Sequence, residues 1–276
     1  MKRNAWDVLI KIFMYVYSLF VIFPVVWIIY TSLKTNKEFA AHPWGLFEVP
    51  QFINYSNAWE KVNFSIYTFN SLTITAFAVV VIAIIAIMAT YVLVSIKFKW
   101  NRIFIMLFIG GLYIPQVLTM PSQFLLLKEL QMLDNRFGLS LMYIAYSLPF
   151  SIYLLTGFLS GIEKELEEAA RIDGCGYNAT FWKIIMPISK NGLFTVSLFN
   201  MLWIWNDFML GLTFIMSAEK RTLSMGIVAL LASFKLRADW VTLFAGLNLL
   251  IIPIIIIYVI FQRSLVEGMT TGAIKG

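Results

Sequence analysis

The chain has 276 residues, of which 60% are hydrophobic and 13% charged, with a formal net charge of +6 and a mean hydropathy of +0.81. Soluble domains average about 45–50% apolar and about 25% charged residues, so an ordinary water-soluble globule is excluded, and 24 Phe, 12 Tyr and 9 Trp exclude a disordered chain. One cysteine, Cys175, and one histidine, His42, exclude a disulfide framework and a thiolate-built metal site, while Lys and Arg fall between apolar runs rather than in the surface cluster that nucleic acid requires.

A hydrocarbon core about 30 Å thick is crossed by about 20 helical residues. Intervals free of Asp, Glu, Lys and Arg run over 12–33, 62–96, 103–127, 137–162 and 240–262, and a sixth, 191–217, contains only Asp207. The pattern predicts an all-α, polytopic membrane protein. Six transmembrane helices are expected near 10–32, 67–95, 103–127, 137–159, 191–215 and 240–262, in a single domain over 1–276 without a linker or an internal repeat. Lys2 and Arg3 precede the first span as they would a signal peptide. The span is nonetheless longer than an h-region, and Thr31-Ser32-Leu33-Lys34 lacks a small-residue cleavage pattern, so the helix is expected to be retained. With the N-terminus inside, 12 of the 21 Lys and Arg lie on the cytoplasmic side, among them Lys97, Lys99 and Arg102 in one short turn. Segments 32–63, 128–136 and 217–239 are then outward caps or docking loops.

Within the spans, small residues four apart, Ser71 and Thr75 or Ala86 and Thr90, are suited to seating helix against helix. Pro115 and Pro121 interrupt the third span beside Tyr113 and Gln116, and such breaks are tolerated where helices enclose a cavity, though more often they only kink a helix. On the fifth, Ser197, Asn200, Trp203, Asp207 and Gly211 fall within about 120° at about 100° per residue, giving a polar-aromatic stripe. An Asp at membrane depth costs about 2.5–3.5 kcal/mol on insertion scales, so Asp207 should face protein or water. It lies past the midplane, where a bond to a neighbouring helix and a place on a pathway are both open. Asn200 and Trp203, deeper in, suit a pathway for hydroxylated ligands, which take planar polar groups and aromatic faces.

The connection 160–190 carries 9 of the 36 charges. Ser160 and Glu163 have capping-box spacing, Gly174 is placed for a left-handed stop, and the stretch between them predicts a helix of about 12 residues. Ile162, Leu166, Ala169, Ala170 and Ile172 give it an apolar side, and Glu163, Lys164, Glu167 and Arg171 a wetter one. Asn178 is positioned to cap a second short helix running to Ile185 and stopped by Pro187. Periodicity leaves two readings, an interfacial hairpin with solvated charges, Glu167 pairing Arg171 and Glu168 pairing Lys164, or a docking element.

Glu168-Ala169-Ala170, Gly174, Ile184 and Met186-Pro187 resemble, at the right spacing, the EAA motif of permease subunits of bacterial ABC importers. Met186 stands where Leu is usual, a volume-conserving change. Asn70-Ser71, Ile114-Pro115, Trp205-Asn206-Asp207-Phe208, Arg221-Thr222-Leu223 and the ending 268–276 extend the likeness over most of the chain. Together they are similar to the maltose-type carbohydrate uptake family, specifically to the six-helix partner of its two permeases.

The resemblance implies that 160–190 is a coupling helix seated in a cleft of a cytoplasmic ATPase dimer, with Glu168 paired to a basic residue there and Ala169, Ala170 and Gly174 allowing close approach. It implies a second permease, an extracytoplasmic solute-binding protein approached by 217–239, and a tail over 263–276 reaching toward the ATPase. The chain would bind no cofactor, ATP and Mg belonging to the ATPase subunits. It would lie in the bacterial cell membrane with both termini cytoplasmic, and a carbohydrate would pass beside Tyr113, Gln116, Asn200, Trp203, Asn206 and Asp207. Chemistry of its own is not expected, since no GxxxxGK[ST] or catalytic dyad occurs. An ion-coupled secondary transporter would need midplane ionisable groups and usually repeats, and a membrane enzyme would need two reactive groups at one depth.

Overall fold

Breaks at a proline and at an aspartate turn an apolar helical chain into a folded one. The computed structural model describes residues 5–96, 98–237 and 239–273, with the side chains of 5, 164, 229, 232–237 and 263–273 outside the description. Lys164, expected beside Glu168, and the tail motif over 268–276 therefore lie outside the described side chains. The helices are α1 (Ala5–Thr31), α2 (Asn36–Ala41), α3 (Ile53–Lys61), α4 (Phe64–Ser95), α5 (Asn101–Leu112), α6 (Gln116–Glu129) and α7 (Arg136–Leu159). They continue with α8 (Lys164–Ile172), α9 (Tyr177–Thr180), a π-turn (Phe181–Ile185), α10 (Met186–Ile188), α11 (Lys190–Asn206), α12 (Met209–Phe214), α13 (Leu223–Arg237) and α14 (Trp240–Ala273). Contacts group the chain into two units, Met1–Ser65 with Gly226–Ile255, and Ile66–Met225 with Ile256–Gly276. The boundaries fall inside α4, α13 and α14 rather than in linkers.

In the first unit, α1 is exposed along most of its length, and order concentrates just beyond its end. Lys34 is fully buried, its ammonium donating to the carbonyls of His42 (3.0 Å) and Pro43 (2.8 Å). Burial pulls its pKa down, and the charge of Glu38 opposes that pull. Thr35 and Glu38 form a reciprocal capping box at the start of α2. Asn54 donates to the carbonyls of Ser32 and Lys34, both at 2.8 Å, and Asn248 donates to Ser32 Oγ and Tyr55 Oη, both at 3.0 Å. Asp239 accepts from Asn36 (2.9 Å) and Lys61 (2.6 Å). Segment 32–63, expected as an outward cap or docking loop, is thus held by a hydrogen-bonded network.

The second unit has a continuous core. Ile74, Ala78 and Ile82 of α4 meet Leu139, Tyr143 and Ile144 of α7 with Ile204, Leu210 and Phe214, and a second cluster joins Ala86, Ile87 and Tyr91 to Ile152, Leu155, Leu159, Ile185 and Val196. The small residues four apart on α4, Ser71, Thr75, Ala86 and Thr90, are all buried. Where α7 begins, a Cβ on Gly138 would collide with the carbonyl oxygen of Met132, so only glycine lets the 130–135 turn close on the helix.

Among the described residues four helices are long and apolar enough to cross a membrane, Trp6–Thr31, Phe64–Ser95, Arg136–Leu159 and Trp240–Gln262. The expected third span is not one straight helix: Asn101–Leu112 and Gln116–Glu129 meet at 100°. Pro115 lacks an amide donor and disfavours the helical conformation of Ile114, which ends α5. Pro121 sits inside α6 without ending it. The expected fifth span is also broken. α11 stops at Asn206, Asp207 is extended (φ −66°, ψ 131°), and α12 begins two residues later. The stripe drawn to Gly211 therefore does not continue past the break. An Asp side chain competes for nearby backbone donors, and here it accepts from the amides of Leu210 (3.5 Å) and Gly211 (3.3 Å).

Asp134 ties the start of α7 to the segment after α12. Its carboxylate accepts from the amides of Met216 and Ser217 (both 2.9 Å), Ser217 Oγ (2.5 Å) and Lys220 Nζ (2.9 Å). Burial pulls the carboxyl upward, and those hydrogen bonds outweigh it and hold the group far below the usual carboxylate range. Because the folded value is depressed, the stabilisation is complete above the unfolded value of about 3.9 and is lost as pH falls below it. Asp134→Ala is expected to cost about 2 kcal/mol at pH 7 and to flatten the acid limb of a melting-temperature profile of the detergent-solubilised protein below about pH 4.

Candidate functional site

The break at Pro115 opens a cavity of about 370 Å³ in the second unit. Its wall is made by the end of α5 (Gly111, Leu112), Ile114, the first residue of α6 (Gln116), Tyr146, Ser147 and Phe150 of α7, and Phe199, Asn200 and Trp203 of α11. Asn200 is 3% exposed and donates to Ser151 Oγ at 2.8 Å. Trp203 stands edge-on to Tyr143, centroids 5.8 Å apart, and Phe150 is edge-on to Phe199 at 6.0 Å. Tyr146 Oη shares its one proton between Gln123 Oε1 (2.9 Å) and the Gln116 carbonyl (3.2 Å) and contacts Thr119 Oγ1, securing the backbone where α6 starts.

Three of the six expected pathway residues thus meet: Gln116, Asn200 and Trp203. The other three do not line the cavity. Tyr113 is 81% exposed, Asn206 bonds back to the Leu202 carbonyl of its own helix (2.7 Å), and Asp207 accepts from Tyr143 Oη (2.9 Å). Asp207 thereby fastens α11 and α12 to α7 and, through its carbonyl, to Ser224 (2.5 Å). Sequence reasoning missed Tyr146, Ser147 and Phe150. A signal was present, because Ser140, Ser147 and Ser151 recur at seven and four residues along one helical face, and all three are buried.

At the other end of the same unit, α8 ends in a complete Schellman motif. The amide of Cys175 bonds to the Ala170 carbonyl (2.9 Å), that of Gly174 bonds to Arg171 (3.0 Å), and Gly174 has φ +80°. The capping box expected from Ser160 and Glu163 does not form: Ser160 ends α7, and Glu163 precedes α8 with no side-chain cap. Pro187 does not stop the following helix either, since helix continues to Ile188 and resumes at Lys190. A π-turn just before it, with Met186 N bonded to Phe181 O, shifts the ladder where proline offers no donor. Ile184 is half-buried in that turn.

The buried face of α8 differs in part from the one expected, being made by Ala170 of the apolar side and Glu167 of the wetter one. Glu167 is turned inward, accepting from Ser95 Oγ (2.7 Å) with Arg171 at 3.9 Å, and Arg171 lies over the Tyr177 ring. Ala170 is 4% exposed, whereas Leu166, Glu168, Ala169 and Ile172 face outward, Ile172 being 86% exposed. The α4 terminus supplies a hydroxyl partner for Glu167, while nothing in the unit covers the apolar side among the described residues. Glu167, Glu168 and Arg171 also line a polar hollow of about 290 Å³ with Ser95, Ser160 and Tyr177.

Two stretches of the wider likeness, Asn70-Ser71 and Arg221-Thr222-Leu223, meet in one network with Arg136. Asn70 donates to the carbonyls of Glu219 and Arg221 (both 2.9 Å) and accepts from Arg136 (2.6 Å), while Ser71 Oγ accepts from the amide of Leu223 (2.8 Å).

Residues 66–271 match the family model described as the binding-protein-dependent transport system inner membrane component. The chain belongs to that family. It is 30% identical to the diacetylchitobiose uptake system permease NgcG of Streptomyces coelicolor, over 94% of this chain and 86% of that one, and 30% identical to the trehalose transport system permease SugB of Mycobacterium tuberculosis, over 93% of each. Its fold matches, with a TM-score of 0.81 and 23% identity over 95% of this chain and 99% of that one, a solved chain from a bacterial ABC transporter that imports the acidic polysaccharide alginate. This family member is therefore an all-α membrane component of a transport system, and among its described residues no three His, Cys, Asp and Glu gather as a metal site.

The Ser95 to Glu167 bond is a tether between α4 and α8. Glu167→Ala is expected to raise amide exchange over Lys164–Ile172 about tenfold, the loss of about 1.4 kcal/mol from one charge-assisted bond, whereas Glu168→Ala leaves exchange there unchanged. Hydrogen-exchange mass spectrometry of the two variants checks the difference.

Proposed function

We propose that this chain is one of two permease subunits of an ATP-driven importer for a carbohydrate delivered by a solute-binding protein. Family membership and the carbohydrate permeases among its relatives support the class. The observation that carries the coupling role is the outward face of α8: a helix end held by a Schellman turn, tethered through Glu167, presents Leu166, Ala169, Ile172 and the exposed carboxylate of Glu168 away from its own unit. Such a face suits the cleft of a cytoplasmic ATPase dimer, where ATP and Mg are bound and hydrolysed. Glu168 pairs with a cation there, while Ala169 and Gly174 admit close approach, Ala170 seats α8 on its own unit, and the stretch through Ile184 and Pro187 carries the motion into α11.

In this reading the chain crosses the bacterial cell membrane six times with both termini cytoplasmic, the bent pair α5 and α6 serving as one span and α11 with α12 as another. The second permease completes the pathway, Gln116, Asn200 and Trp203 line this half of it, and the segment after Asp134's tie meets the binding protein. Glu168→Lys is expected to leave the protein inserted and the permease pair assembled, to abolish ATPase co-purification, and to lower carbohydrate uptake at least tenfold; unchanged uptake by the reconstituted complex overturns the coupling role. Asn200→Leu is expected to lower uptake severalfold with the ATPase still bound, and wild-type uptake of labelled sugar would leave Asn200 a packing residue only.

A further inference from the structure

Two polar atoms of the α5–α6–α7–α11 cavity have no hydrogen-bond partner although they are shielded from solvent: Gln116 Nε2 and Ser147 Oγ. Ser147 is 4% exposed, and its behaviour differs from that of other hydroxyls on its helix. Ser140 and Thr156 return their hydroxyls to carbonyls four residues back, both at 2.8 Å, and Ser151 accepts from Asn200. A buried polar group left unpaired costs about 1–3 kcal/mol, and native structures keep such groups rare. Two of them on the wall of one cavity, beside Trp203 and the Phe150–Phe199 pair, describe a place completed by something that brings hydroxyls and an apolar ring face.

The same wall holds no Asp, Glu, Lys or Arg. Its one ionisable group, the Tyr146 phenol, is already bonded to Gln123 and the Gln116 carbonyl. A carboxylate or sulfonate entering here would meet no countercharge and would lose its hydration uncompensated. The volume, about 370 Å³, is near the lower end of the range for ligand pockets, about 300–1,000 Å³.

We infer that this cavity is a subsite for a single neutral sugar ring, recognised by the Gln116 amide and the Ser147 hydroxyl and stacked against its aromatic wall. The inference rests on the importer reading and deepens it, because it assigns contact with substrate to this subunit and excludes acidic sugars from that contact.

The complete transporter in lipid nanodiscs, without binding protein so that its selectivity does not enter, is to be examined by saturation-transfer NMR with maltose, trehalose, N,N′-diacetylchitobiose and glucuronate. At least one neutral sugar is expected to show transfer, reduced threefold or more by Ser147→Ala and by Gln116→Leu, and glucuronate is expected to show none. The melting temperature of the Ser147→Ala complex without sugar is expected to be unchanged or raised, since that change deletes an unpaired buried group. No transfer to any neutral sugar, equal transfer to glucuronate, or transfer unaffected in both variants overturns the subsite. A lowered melting temperature with Ser147→Ala also overturns it, as the mark of a hydroxyl satisfied by structural water. ATP-driven uptake by proteoliposomes supplied with binding protein is read separately. A wild-type complex that imports a carbohydrate while the NMR result fails loses the subsite alone, and one that imports none loses the importer reading itself.

Discussion

Hydrocarbon offers no hydrogen bonds, so every backbone group released by a break in a spanning helix must find a partner within the protein. That constraint organises the second unit. At the 113–115 break the Gln116 carbonyl takes bonds from Tyr146 Oη and Thr119 Oγ1, and at the 207–208 break the carboxylate of Asp207 takes the amides that open α12 while its own carbonyl takes Ser224. At the first break the bonds come from α7 and from Thr119 within α6, and at the second from Asp207 in the gap itself and from Ser224 of α13. The breaks are therefore fixed geometry, and the space between them is a defined cavity rather than a loosely packed seam.

The repairs also divide the polar groups into two kinds. Asp207, Tyr143, Asn70, Ser71 and Ser224 spend their hydrogen-bonding capacity on the protein's own backbone and on each other. Gln116 Nε2 and Ser147 Oγ do not. Asp207 was the most conspicuous intramembrane residue by charge, and it proves to be a fastener. The uncharged pair, with nothing to mark it on a hydropathy scale, is what the cavity leaves available.

A parallel division holds at α8. The usual expectation for an amphipathic helix is that its apolar side packs inward. Here the α4 terminus presents a hydroxyl, and the half-buried Glu167 is the residue that packs, which leaves Leu166, Ala169 and Ile172 outward beside Glu168. An amphipathic helix anchored by its polar side has its apolar side free for another chain.

Length, charge spacing and the EAA-like pattern were enough to determine a helical membrane protein, the left-handed stop at Gly174 and the family. These are local or periodic properties, set by how many apolar residues cross a bilayer and by which residue tolerates a positive φ. The tertiary structure alone decided that α5 meets α6 at 100°, that Asp207 ends a helix instead of lining a stripe, that Glu167 faces inward, and that Ser147 is buried without a partner. Each of these depends on which groups, distant in sequence, arrive beside a side chain to accept or refuse its hydrogen bonds, and periodicity along one helix carries no information about what stands opposite.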